Sequence, residues 1–120
     1  MHRIEDNIVY RVLELEDGGE VLAAVCHATK LIISGDRVTI TNNVLSLKVT
    51  YRDWQGNLLL DENQPVHITV TGPGQAQELV LMPTNGQAEF DFVSAVAGTF
   101  KIRATAEFPC DPTELEVAVT

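Results

Sequence analysis

The chain has 120 residues, 45% of them hydrophobic, with 17 acidic and 8 basic side chains and a formal charge of −9. That length suits one domain, and a mean hydropathy of +0.06 is that of a folded body and not of a disordered tail. The balance excludes nucleic acid as a partner and disfavours anionic membrane surfaces, because phosphate binding needs clustered Lys and Arg and these stand singly.

Met1–Asp6 is polar and acidic, so it predicts no secretory signal peptide. Ile8–Leu15 and Glu20–Ala28 flank Asp17-Gly18-Gly19 and read as a β-hairpin. The alanines of the second run leave a short helix as the alternative, although such a run is too short to be helical unaided. Lys30–Ile33 and Arg37–Thr41 follow as two short strands or one bent one.

From Val44 the alternation becomes regular. Leu45, Leu47, Val49 and Tyr51 share one face, opposite Ser46, Lys48, Thr50 and Arg52. Lys48 and Arg52 are charges of the kind that discourage pairing at a sheet edge. Val66, Ile68 and Val70 alternate in the same way, as do Phe90 and Phe92, then Phe100 to Phe108, then Leu115, Val117 and Val119. Period two means one buried and one wet face, as in antiparallel sheets. Turn signals such as Gly72-Pro73-Gly74 and Asn85-Gly86 separate these runs at the spacing of a sandwich. No apolar run approaches the roughly 18 residues of a membrane span, so no membrane insertion is expected.

The order of motifs resembles the bacterial immunoglobulin-like domains of the invasin and intimin type. Val44–Tyr51 leads into Asp53-Trp54-Gln55-Gly56-Asn57, matching that family's Asp-x-x-Gly-Asn turn. Pro65–Val70 matches its Pro-Val strand, Thr84–Ala88 its Thr-x-x-Gly-x-Ala turn, and Ala97-Gly98-Thr99 its entry into the outgoing strand. The resemblance implies an immunoglobulin-like antiparallel β-sandwich over residues 30–120. Residues 1–29 have no counterpart and are expected to form a β-hairpin extension of the same single domain. Leu58–Asp61 also departs from the family, replacing its short Pro-containing link.

No catalytic residue, cofactor or metal site is expected. Cys26 and His27 are adjacent and would point to opposite faces of a strand, so they cannot easily share a metal ion. Asp53, Asp61 and Glu62 flank one loop region without a calcium-loop motif, and read as solvated turn charges. Cys26 and Cys110 read as thiols and not as a disulfide. Trp54, in a polar turn, is the one candidate binding residue: it either contacts a partner or folds back over the end of the sandwich. The expected role is that of a non-catalytic structural or interaction module recognising a protein or a surface glycan. A bacteriophage virion accessory, a module of a bacterial cell-surface adhesin and a carbohydrate-binding module are the contexts considered, placing the chain on a virion or a cell surface.

Overall fold

The structure is a computed structural model that describes the backbone of residues 1–120 and every side chain except that of Gln75. Alternating apolar residues have nowhere to bury one face except against a second sheet, and the strands from Thr29 onward form two packed sheets. β4 (Thr29–Ser34), β6 (Leu45–Asp53) and β9 (Gln87–Phe92) make a three-stranded sheet with β6 in the middle. β5 (Val38–Thr39), β11 (Thr113–Val119), β10 (Gly98–Ala106), β7 (Val66–Gly72) and β8 (Gln75–Leu81) make the other, in that order. All pairings are antiparallel except β5 with β11, since the chain from β4 kinks across and joins the second sheet parallel to its end strand.

The buried set is the one the alternation predicts, except that Thr50, expected on the wet face of β6, is also buried, its hydroxyl accepting from Arg52 Nε at 3.2 Å. Leu45, Leu47, Val49 and Tyr51 of β6 face Val66, Ile68 and Val70 of β7 and Phe100, Ile102 and Ala104 of β10 in one continuous core. Phe92 and Phe100 meet across the two layers in an edge-to-face pair with centroids 5.3 Å apart. Tyr51 is fully buried, and its hydroxyl donates to the Gln64 carbonyl at 2.9 Å. One further expectation needs revision. Lys48 and Arg52 protect no edge, because β6 is paired on both sides by β4 and β9. The segment departing from the family at Leu58–Asp61 is bound in, with Leu59 N–H donating to the Tyr51 carbonyl at 2.9 Å and its side chain packed on the core.

The first 27 residues form a separate three-stranded sheet of β1 (His2–Glu5), β2 (Ile8–Glu14) and β3 (Glu20–His27), ordered β1-β2-β3. Glu20–His27 is a strand and not a helix. The hairpin expected here gains a third strand because Asp6 and Asn7, with φ of 52° and 62°, fold β1 back in a two-residue turn. The sheet projects from one end of the sandwich as an arm, and the molecule measures 63 × 27 × 20 Å. None of the arm's residues joins the sandwich core; Val9 alone among them is buried.

Candidate functional site

The root of the arm is where sequence-distant residues converge. Asn7 sits at its centre: its carbonyl accepts from Ala28 N–H at 2.8 Å, its Oδ1 accepts from the Thr29 hydroxyl at 3.1 Å, and its Nδ2 donates to the Pro109 carbonyl. The Ala28 carbonyl accepts from Trp54 N–H at 2.9 Å, tying the arm to the loop after β6. The Trp54 ring is half-buried against His2, with centroids 5.0 Å apart. The candidate binding residue thus lies against the first strand of the arm.

Asp111 is the residue that sequence reasoning missed. Its Oδ1 lies 2.7 Å from His27 Nδ1 and its Oδ2 accepts from His27 N–H at 3.3 Å. Its own backbone bridges to β4, accepting from Leu31 N–H at 3.0 Å and donating to the Thr29 carbonyl at 3.1 Å. One residue therefore grips both the arm's last strand and the sandwich's first. A turn aspartate beside Pro112 carries no sequence signal of this, since its partner is 84 positions away.

The Asp53 loop explains the spacing of its motif. Asp53 Oδ1 accepts from Gln55 N–H at 2.9 Å and Asn57 N–H at 2.8 Å, while Oδ2 accepts from Asn57 Nδ2 at 3.0 Å. Gly56 takes a φ of 95° to close the turn. The Asn57 backbone and side-chain donors, followed by the Gln55 and Gly56 amides, hold the Asp53 carboxyl below its ordinary 3.8. A carboxylate so depressed stabilises the fold while ionised, so its contribution is complete above the ordinary value and fades as pH falls through the lowered one. In Asp53→Asn the acid limb of the unfolding midpoint is expected to flatten below about pH 4 relative to the parent. An unchanged acid limb would show that the turn carbonyls, and not the carboxylate, hold this loop.

Little chemistry is available elsewhere. Cys26 and Cys110 are half-buried free thiols. Burial, then the carboxylates of Asp111 and Glu62, push the Cys110 thiol up to about 12, which leaves essentially no thiolate at neutral pH. Burial likewise raises the Tyr51 phenol. Among the described residues no three His, Cys, Asp or Glu side chains converge as a metal site. The surface recesses are shallow. One of about 320 Å³ lies along the arm root, lined by Ile8, Ala24, Val25, Cys26, His27 and Asp111.

No protein-family model and no curated protein matches the sequence. Solved structures do match the fold. The Lin-41 filamin domain aligns with a TM-score of 0.57 and 21% identity over 78% of this chain and 94% of that one. The PKD domain of an M14-like peptidase from Thermoplasmatales archaeon SCGC AB-540-F20 aligns with a TM-score of 0.51 and 12% identity, over 75% and 92%. A glycosyl hydrolase family 2 member from Bacteroides cellulosilyticus aligns with a TM-score of 0.63 and 13% identity over 97% of this chain, but 18% of its own. These likenesses, with the sheet order above, define the class: an immunoglobulin-like antiparallel β-sandwich carrying an N-terminal β extension. At these identities they speak for the fold alone.

Proposed function

We propose that the chain is a non-catalytic structural and interaction module, and that its N-terminal arm is the element that engages the partner. The observation carrying this is the arm itself. It places Ile4, Leu13, Leu15, Val21 and Val25 in solvent and gives the sandwich core nothing, yet Asn7, His27, Trp54 and Asp111 fix its root. A sheet this thin buries too little to be stable alone, so its cost in exposed apolar surface is understandable if a partner covers it. No helix is long and apolar enough to cross a membrane.

The context we propose is an accessory protein of a bacteriophage virion, with a cell-surface adhesin module as the alternative that the family-like motifs support. Support for the first is the acidic sandwich that carries a projecting arm of its own. A gene lying among capsid or tail genes, and recovery of the protein with gradient-purified particles, are expected. Shortening the chain to residues 29–120 should release it from the particle while leaving a β-rich far-UV spectrum. A gene among surface-protein genes, or a shortened chain that still stays on the particle, would overturn this reading. A glycan partner would call for aromatic rings aligned on one open face. Here Tyr51 is buried, Tyr10 lies on the arm and Trp54 meets His2 in a tilted contact.

A further inference from the structure

The free sheet edges are unequally protected. β1 carries His2, Arg3 and Glu5, β9 carries Glu89 and Asp91, and β8 carries Glu78. β5 is two residues long, and β4 is already engaged by Asp111. β3 differs: Val21-Leu22-Ala23-Ala24-Val25-Cys26 has no charge between Glu20 and His27. Edges are normally blunted by charge, by proline or by brevity. This one has only a bulge near Val25, where the register with Val9 and Tyr10 shifts.

Its open hydrogen-bonding groups can be assigned. Leu15 N–H donates to the Gly19 carbonyl and Ala28 N–H to the Asn7 carbonyl, both at 2.8 Å. Residues of an antiparallel pair alternate between bonding inward and pointing outward. Counting from Gly19, the N–H and C=O of Glu20, Leu22 and Ala24 point away from β2, the last two lying nearer the root. Counting back from Ala28, so does His27 N–H, and it is the group that Asp111 takes. Two residues of unpaired backbone therefore lie just beyond the His27–Asp111 joint, next to the shallow 320 Å³ recess that Ile8, Ala24, Val25 and Cys26 line together with His27 and Asp111.

Resting on the reading that the arm engages a partner, we infer that β3 is a strand-addition edge for an extended, apolar segment of a partner protein bearing a lysine or arginine. Main-chain bonds to Leu22 and Ala24 supply the pairing, and the recess supplies the side-chain selectivity. The stem of a long basic side chain lies along Ile8, Ala24 and Val25 while its head reaches Asp111. The arm's tip adds the same preference, since Glu14, Glu16, Asp17 and Glu20 gather there and, among the described residues, their one ion pair is Glu20 with Arg3 at 3.3 Å. A second copy is the poorer occupant, because antiparallel pairing of two β3 strands would run two such acidic arms along each other.

The test is amide hydrogen exchange of the full chain with two short synthetic peptides, one alternating valine with lysine and one alternating valine with glutamate. The lysine peptide is expected to slow exchange at Leu22 and Ala24 by about tenfold or more, less so as salt rises, and the glutamate peptide to leave it unchanged. Ala24 is exposed, so Ala24→Lys keeps the fold and should lose the protection. Val38→Ala, at an exposed site on β5 away from the arm, should retain it. Equal protection by both peptides, or none by either, overturns the inference. Protection that grows with protein concentration without peptide also overturns it and makes a second copy the occupant. If the peptides fail while residues 29–120 still leave the particle, the strand edge falls and the arm's docking role stands. If the shortened chain stays bound, that role falls as well.

Discussion

Phe100→Ala is expected to lower the unfolding free energy by about 3–5 kcal/mol, the range for emptying a fully enclosed aromatic site. Phe100 is 1% exposed and lies where β10 of one sheet meets β9 of the other through Phe92. It also fills the space above Gly72, where an added Cβ would stand 2.3 Å from its ring. The layers cannot collapse into the void, because each is held at its own spacing by its hydrogen-bond ladder. Against a total of about 5–15 kcal/mol for a domain, this is a large share. Urea unfolding would measure it, with Val38→Ala, at a 64% exposed site, as a control expected to stay within about 0.5 kcal/mol. A Phe100 loss below about 1 kcal/mol would mean that the two sheets are not sealed at this point.

The second large effect is expected at Gly86, where alanine should cost about 3 kcal/mol or more. Asn85 and Gly86 form the two-residue turn between Thr84 and Gln87, both with positive φ, and Gly86 lies at 73°. The left-handed conformation alone costs an alanine about 1–2 kcal/mol. Here its Cβ would also stand 2.1 Å from the Leu59 carbonyl oxygen, a backbone atom that no rotamer change can move. The turn cannot retreat either, since the Gly86 carbonyl accepts from Tyr51 N–H at 2.8 Å and its N–H donates to Asn63 Oδ1 at 3.0 Å. Gly18→Ala separates the two causes. Gly18 has φ of 86° and open space around it, so only the conformational part should appear. Equal losses at both sites would show that the 59–62 segment yields to the added methyl.

The sandwich was largely legible because burial in a two-layer fold is a local, period-two property. Leu45 to Tyr51 and Phe100 to Ala104 declare their inward faces within a few residues. β8 was not legible: among its described side chains Leu79 and Leu81 are the apolar ones that pack on the core, so an edge strand shows half a pattern. β1 was not legible either, since all four of its residues are exposed and its pairing depends on the Asp6-Asn7 turn. Trp54 could be placed in a turn from sequence. That its ring meets His2 requires the arm to fold back to the loop after β6.

By itself, then, the sequence determined an all-β sandwich, the inward face of most of its strands and the turns that join them. Side-chain alternation and turn chemistry act over neighbouring residues, so they survive being read one run at a time. Only the tertiary structure decided that the first strands leave the sandwich as an arm, that Asp111 clasps His27, and that β3 has no neighbour on the side away from β2. An open edge is defined by which strand is absent beside it, and that follows from the packing of the whole chain, not from the composition of Glu20–His27.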